Sequence, residues 1–456
     1  MMAAYPPPML DLAWDTPWDL EGAFWLPGDA RHFYGRLRHE PDRGTQVHFV
    51  ACPLMVGQAR HIDAPHIPTV YGESTSGNAL SLLDVYPASW TEGGINTVEG
   101  LALNVVAGRP HLEQLATTAV QRVTVGLHGL REAFAGVWGY GGGVLRPSQV
   151  PGGLYDALTA KLAEGVTLRI EAGEMDNVSR GRLTPQEYAS AVFELDGGLP
   201  YAEWQAHYVE PLRDFVALTT RRQSYVTRMR LSCDPSQGLG WQLATTPHPR
   251  PDAYGSRSVH ALAVDLSLVG DPAAMLRRWF ELHEQVGPVW TTFFAALYGG
   301  AVLEDQFLAL AAFAEGYHRA LHDRQPLSRA ADRRAQKVML DAVGDPVLRK
   351  LYRERLSHAN AQTQRDRLTE LASRAVEPLD WDIDIRVTVS RIIDTRNWMT
   401  HWGSRGVAAV EDPEGISSLV RCLELVIHAN LLLDLGLDES VVRGGVGSGW
   451  RFEGLP

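Results

Sequence analysis

The segment Asp394-Thr395-Arg396-Asn397-Trp398-Met399-Thr400-His401-Trp402-Gly403 sets an Arg five residues before a His, with an Asn directly after the Arg. These residue types suit cleavage of an RNA phosphodiester without a metal. An imidazole exchanges protons near neutral pH, and a guanidinium offers fixed donors to the non-bridging oxygens of a charged transition state. The attacking group in such a reaction is the RNA's own 2′-hydroxyl. On an ideal helix five residues turn through about 500°, which leaves Arg396 and His401 about 140° apart. Convergence then requires that the helix end inside the segment, as Gly403 allows, or that a second copy of the chain complete the site about a two-fold axis. The plainer reading of the same residues is a helix end capped by an Arg and a His.

Other clusters are weaker. Glu315, His318 and His322 stand at i, i+3 and i+7 on one helix face, a spacing that could present three ligands to a metal. No fourth ligand stands out and Arg319 is adjacent, so polar contacts near the reactive segment or a dimer seam are the expected role. His61, Asp63 and His66 lie in a Pro-flanked loop and read as structural. The Gly139 to Gly143 cluster lacks the Gly-Lys-Ser/Thr ending of a phosphate loop, and there is no G-x-S-x-G element of an α/β-hydrolase. No metal and no other cofactor is expected.

The elements that must position Arg396 and His401 follow from hydrophobic period. Leu303, Phe307, Leu310, Ala314, Tyr317 and Leu321 step by four and three along one helix face. Asp345-Pro346 and Asp412-Pro413 are helix starts, since Asp accepts from free amides and Pro needs no donor there. The second of these helices carries Ile416, Leu419, Val420, Leu423, Val426, Ile427 and Leu431 and stops near Gly436. Trp381, Ile383, Ile385, Val387 and Val389 alternate with polar residues like a strand, whereas Ile385, Val389, Ile392 and Ile393 fit helical spacing; an extended lead-in and a helix from about Ile385 reconcile the two.

Up to about Gly300 the pattern is mostly strand. Phe33 to His39 with Thr45 to Val50, and Thr69 to Glu73 with Ala79 to Tyr86, are two hairpins, each with a Tyr-Gly pair in its first strand (Tyr34-Gly35, Tyr71-Gly72). Those glycines suggest a bulge or close backbone approach. Leu101 to Val106, Arg122 to Leu127, Val166 to Glu171, Tyr225 to Leu231 and His260 to Leu268 are further strand candidates, with helices around His111 to Ala119 and Tyr208 to Thr220. The expected organisation is α+β and multidomain: an antiparallel, sandwich-like β-rich region over residues 1–300, an all-α bundle over 301–440 and a Gly-rich tail over 441–456.

The chain has 456 residues and a net charge of −12. That balance excludes a protein that coats nucleic acid through a generally basic surface. Between Gly316 and Ala375, however, thirteen Lys and Arg stand against seven Asp and Glu. This stretch is either a solvated helix face or a local phosphate-binding surface, with Arg319, Arg333, Arg334, Lys337, Arg349, Lys350 and Arg353 as candidate contacts. Three widely spaced cysteines, Cys52, Cys233 and Cys422, suit neither a disulfide framework nor a Cys-based zinc site. With no basic n-region before Arg31, a cytoplasmic location is expected. The uncharged run Gln285 to Leu303 is broken by Gly and Pro and reads as core and turn, so no membrane association is expected.

The segment Arg396-Asn397-Trp398-Met399-Thr400-His401 resembles the R-x4-H signature of HEPN ribonucleases, in the RNxxxH form, and sits near the end of the helical unit as in that family. The remainder resembles ApeA-type bacterial anti-phage proteins. Gly22-Ala23-Phe24-Trp25-Leu26-Pro27, the two Tyr-Gly hairpins, Glu210-Pro211-Leu212-Arg213-Asp214-Phe215 and Ala314-Glu315-Gly316-Tyr317-His318-Arg319 fall in the expected order. The resemblance implies a β-rich part that senses or gates, joined to a dimerising HEPN domain that cuts RNA, in ApeA-like defence tRNA, without metal. It implies that Arg396 binds or polarises the phosphate, His401 transfers protons and Asn397 orients one of them. Products would carry a 2′,3′-cyclic phosphate and a 5′-hydroxyl. The trigger, a phage component, is not legible. Two other classes stay open: a non-catalytic protein that binds a phage component and dimerises through its helices, and a carbohydrate-active enzyme.

Overall fold

The computed structural model describes residues 12–13, 16–52, 66–91, 95–108, 111, 118–134, 137, 155–179, 182–234, 239–245, 264, 266–325, 327–356, 360–401 and 412–447. The chain divides into two compact units, Met1–Phe280 and Glu281–Pro456. The fold class is the expected one, a β-rich region followed by helices.

In the first unit, β1 (Trp18–Trp25), β2 (Phe33–Glu40), β3 (Gly44–Val50), β4 (Ile67–Ser74), β5 (Ala79–Thr91) and β6 (Thr97–Gly108) are antiparallel in the order β3-β2-β1-β4-β5-β6. The first half of β6, Thr97 to Ala102, returns to β3 and closes a barrel. Its second half, Asn104 to Gly108, pairs instead with β12 (Leu239–Thr245). From there an open sheet continues through β11 (Val226–Asp234), β7 (Ala119–Leu127), β10 (Arg182–Pro200), β9 (Val166–Ser179) and β8 (Tyr155–Ala163). One strand thus serves both layers, which is how a sandwich-like pattern of alternating strands is realised without leaving β3 as a free edge.

The two Tyr-Gly pairs have a common cause. Phe24 of β1 is fully buried, and a Cβ added at Gly35 or Gly72 would lie only 2.5 or 2.4 Å from its ring. Strand β1 runs between β2 and β4, with Phe24 opposite Gly72. Glycine on both flanking strands makes room for one ring, the close approach that the sequence suggested.

After β7 comes the short α1 (Leu130–Phe134). The expected helix near Tyr208 to Thr220 is longer than its sequence signal: α2 (Tyr201–Trp204), a π-helical turn over Gln205–Val209, and α3 (Glu210–Thr220). Trp204 Nε1 donates to Val120 O at 2.7 Å and Trp279 Nε1 to Pro211 O at 2.7 Å, so these buried indoles are satisfied. Two expectations change. Ala119 opens β7, and residues 112–117 of the expected helix lie outside the described residues. Leu266–Leu268 form a 3-10 turn rather than a strand end, and residues 260–263 lie outside the described set.

Helices follow from Pro272: α4 (Pro272–Val286), α5 (Val289–Tyr298), α6 (Leu303–Leu321), α7 (Arg329–Asp341), α8 (Pro346–Leu356), α9 (Gln364–Leu379), α10 (Ile385–His401), α11 (Pro413–Asp434) and α12 (Glu439–Gly447). α6 has the length its period indicated, and α11 starts at the expected cap, with Asp412 Oδ1 accepting from Gly415 N at 2.7 Å. Phe307, Leu310, Phe313 and Tyr317 of α6, Leu368, Leu371 and Ala375 of α9, and Leu423, Ile427 and Leu431 of α11 are buried and form the core of this unit. Phe313 stacks on Phe293 of α5 with centroids 4.5 Å apart. Among the described residues only α11 is long and apolar enough to cross a membrane, and most of it is buried inside this unit.

Candidate active site and basic hairpin

α10 is rich in β-branched residues, which lowers its intrinsic helicity. It forms because Asp384 caps it, accepting from Val387 N at 3.0 Å, and because Val389, Ile392 and Ile393 bury one face. No strand forms over residues 381–384, where Ile383 N donates to Trp381 O at 3.2 Å in a tight turn instead of the expected extended lead-in, and the helix begins at Ile385, as the spacing indicated. Arg396 falls on the side of Ile385, Val389 and Ile392, at four- and seven-residue steps, and is half-buried. Its Nη1 donates to Asn397 Oδ1 at 3.3 Å, and among the described residues no carboxylate pairs with it. Asn397 is exposed. Thr400 Oγ1 bonds back to Arg396 O at 2.9 Å, keeping this turn helical. The helix runs through His401, whose side chain lies outside the described set, as does Gly403. Position 401 is therefore turned about 140° from Arg396, toward the face of Asn397, Asp394 and Ser390.

The three residues with metal-like spacing on α6 are each taken by the protein. Glu315 Oε1 accepts from Arg319 at 2.8 Å and from Arg367 of α9 at 3.4 Å. His318 Nε2 meets Glu370 Oε2 at 3.0 Å. His322 Nε2 lies 2.9 Å from Asp434 Oδ2 of α11 and 2.7 Å from Arg374 Nη1 of α9. Asp434 also accepts from Arg374 Nη2 at 2.7 Å and from the Tyr317 hydroxyl. Burial raises the Asp434 carboxyl, but the bonds from His322, Arg374 and Tyr317 outweigh it and hold it at about 2. Burial lowers the His318 imidazole; its Nδ1 has no hydrogen-bond partner among the described residues, so the neutral ring donating through Nε2 to Glu370 is the form that fits. Among the described residues no three His, Cys, Asp or Glu side chains are arranged to hold a metal ion. The sequence marked one side of this network; its partners Arg367, Glu370, Arg374 and Asp434 carry no local signal, because each sits on another helix.

The candidate RNA contacts divide. Arg319 is committed to Glu315. Arg333, Arg334 and Lys337 are exposed on α7, and Lys350 and Arg353 on α8. Arg349 donates through Nε and Nη2 to Val343 O at 3.0 and 2.7 Å, which closes the α7–α8 turn. Arg355, exposed in the last turn of α8, belongs with the basic set and was not singled out by sequence.

α9 and α10 are consecutive, packed against each other and joined by five residues. The α7–α8 hairpin is rooted between the end of α6 and the start of α9. Leu327 N donates to Asn360 Oδ1 and Asn360 Nδ2 to Leu327 O, both at 2.8 Å, and Arg324 N donates to Gln362 Oε1 at 3.2 Å. The basic hairpin thus leaves the bundle where α6 ends and α9 begins, whereas Arg367 and Arg374 of α9 are neutralised by carboxylates.

Two of the early metal-like residues, His61 and Asp63, lie outside the described residues, as does the Gly139 to Gly143 cluster; His66 Nε2 pairs with Asp84 Oδ1 at 2.8 Å. A family model described as ApeA N-terminal domain 1 matches residues 19–279, more than half of the chain, and one described as Apea-like HEPN matches residues 308–441. No curated protein and no solved structure matches. The second match runs from within α6 through α11 and includes the Arg396 turn, and the first spans the barrel and open sheet, so the chain belongs to the ApeA family and is an anti-phage defence protein with a C-terminal HEPN domain.

Proposed function

We propose that the chain is a metal-independent endoribonuclease that cuts RNA, with tRNA as its substrate, at a site built from Arg396, Asn397 and His401. The observation that carries this reading is α10 itself. It continues unbroken through both reactive positions and leaves Arg396 without an acidic partner among the described residues. A continuous helix turns positions 396 and 401 apart, so the reading calls for a second copy, a homodimer through the helical domain in which Arg396 of one chain works with His401 of the other.

In the reaction the RNA's 2′-oxygen attacks the adjacent phosphorus. Its proton passes to a neutral His401 imidazole, the P–O5′ bond breaks, and the 5′-oxygen takes a proton from a protonated His401 or from water. A 2′,3′-cyclic phosphate and a 5′-hydroxyl result. Arg396 donates to the non-bridging oxygens as charge builds there, and Asn397 Oδ1 holds the guanidinium in place. The β-rich unit senses or gates. The three cysteines are free, which suits a cytoplasmic setting where tRNA is found.

The test is incubation of the full-length protein with total tRNA in EDTA, beside Arg396→Ala, His401→Ala and an equal mixture of the two. Cleavage by the wild type that falls by about 100-fold or more in each variant, and returns in part in the mixture, is expected. Cleavage that needs a metal, or that survives both substitutions, contradicts the reading.

A further inference from the structure

α7 and α8 bury no residue at all. Helices of 13 and 11 residues are marginal on their own, yet this pair is built with care. Ser328 caps α7 by accepting from Ala331 N, Asp345 caps α8 by accepting from Val347 N at 2.7 Å, and Gln336 Nε2 donates across the hairpin to Leu356 O at 3.0 Å. With the reciprocal Leu327–Asn360 bonds at its root, the hairpin is a fixed element. It nevertheless holds six large apolar side chains in solvent: Val338, Met339, Val347, Leu348, Leu351 and Tyr352, from 45% exposed at Leu348 to 75% at Val347. An apolar patch of this kind on a pinned element marks a surface meant to be covered.

Charge identifies what covers it. The hairpin between residues 328 and 356 has eight Lys and Arg against four Asp and Glu, in a chain whose net charge is −12. Cations rim the apolar stripe: Arg334 stands four residues before Val338, Lys350 three after Val347, and Arg355 four after Leu351. A second hairpin of equal charge would be repelled. A bilayer would have to accept Asp341 and Asp345 at the tip. A polyanion with exposed apolar faces suits both features.

The chemistry of the proposed ribonuclease site names that polyanion more closely. Attack by a 2′-oxygen requires it to line up with phosphorus and the departing 5′-oxygen, which the stacked A-form duplex prevents. The nucleotide that is cut is therefore unpaired, and unpaired bases bind by stacking on aromatic and apolar side chains while cations follow the backbone. We propose that the α7–α8 hairpin is the docking surface for the unpaired segment of the RNA. Bases settle on Tyr352, Leu348 and Met339, and phosphates on Arg334, Lys350 and Arg355. The inference rests on the ribonuclease reading for its choice of RNA, and it assigns to the hairpin a preference for loops over duplex that a general basic surface lacks.

The test measures binding in EDTA with full-length His401→Ala, so that cleavage does not intervene. The probes are a fluorescein-labelled RNA stem-loop with a seven-nucleotide loop and a blunt RNA duplex of equal length. Expected is binding of the stem-loop at least tenfold tighter than the duplex. Adding Tyr352→Ala with Leu348→Gln, both exposed sites whose replacements leave charge and helix propensity in place, erases that preference by weakening the stem-loop alone. Tyr352→Phe keeps it. Arg334→Gln, Lys350→Gln and Arg355→Gln together weaken both probes equally and flatten the salt dependence. Unchanged loop preference in the Tyr352 and Leu348 variant overturns the proposal. So does a loss, in that variant, of dimerisation or of binding to anionic phospholipid vesicles with RNA affinity intact. Loop binding through the hairpin by a wild type that cuts no RNA overturns the ribonuclease reading and leaves the docking surface standing; cleavage with no role for the hairpin does the reverse.

Discussion

His322 at the end of α6 and Asp434 at the end of α11 meet at 2.9 Å, and this carboxylate, also bound by Arg374 and Tyr317, ties three helices together at a single point. The pair is mostly buried. A carboxyl held at about 2 in the folded chain and near the ordinary carboxylate value when unfolded contributes about 2 kcal/mol at neutral pH. Because the folded value is the lower one, that stability is present above the ordinary value and is lost as pH falls from about 4 toward 2. Asp434→Asn is expected to cost about 3 kcal/mol at pH 7, since it leaves Arg374 without its buried partner. Urea unfolding at pH 7 and pH 3 checks both points: the variant's deficit should shrink at the lower pH.

His318 titrates in the opposite region. Its fully buried ring faces Glu370, His322 and Arg367, and burial keeps it neutral below the pH at which a free imidazole protonates. The unfolded chain therefore takes up a proton first, and stability falls as pH drops below about 6.5. Thermal unfolding between pH 7.5 and 5.5 should show this decline, and His318→Gln should flatten it whatever the variant's stability at pH 7.5.

In the barrel, Gly72→Ala and Gly35→Ala force a methyl group against the Phe24 ring. Each is expected to destabilise the β-rich unit by about 1–3 kcal/mol. Phe24→Leu should recover part of the loss in the Gly72→Ala background, because the clash is with that ring. Denaturant midpoints of the two single variants and the double variant decide it; equal, additive losses would locate the strain elsewhere.

The start of α9 is a capping box in which Thr363 Oγ1 accepts from Asp366 N at 3.2 Å and Asp366 Oδ2 accepts from Thr363 N at 2.9 Å. This box lies beside the hairpin root. Thr363→Ala is expected to cost about 1 kcal/mol and to raise amide exchange in the first turn of α9, while Thr363→Ser keeps both near wild type.

Much of this was legible in the sequence where a signal is local. The period of Leu303 to Leu321, the Asp412-Pro413 start and the start of α10 near Ile385 each depend on residues a few positions apart, and each element has the expected bounds. The Tyr-Gly pairs announced a close approach, but only the β1 register shows that one ring, Phe24, explains both. β1 itself carried a broken alternation around Gly22 and drew no strand assignment, so barrel closure through β3 and β6 was not legible. At the proposed site, Arg396, Asn397 and His401 are candidates that sequence could offer because they are neighbours in the chain. The partners of His318 and His322 were not, since pairing across α6, α9 and α11 has no trace in local spacing.

The central claim, that Arg396 and His401 cut RNA during defence, is tested most directly by sequencing 2′,3′-cyclic-phosphate ends in RNA from phage-infected cells that carry the wild type, Arg396→Ala or His401→Ala. New cyclic-phosphate ends in tRNA are expected in infected wild-type cells alone, together with loss of plaque suppression in both variants at equal protein abundance. Undiminished protection by His401→Ala, or protection by the wild type with tRNA intact, would contradict it.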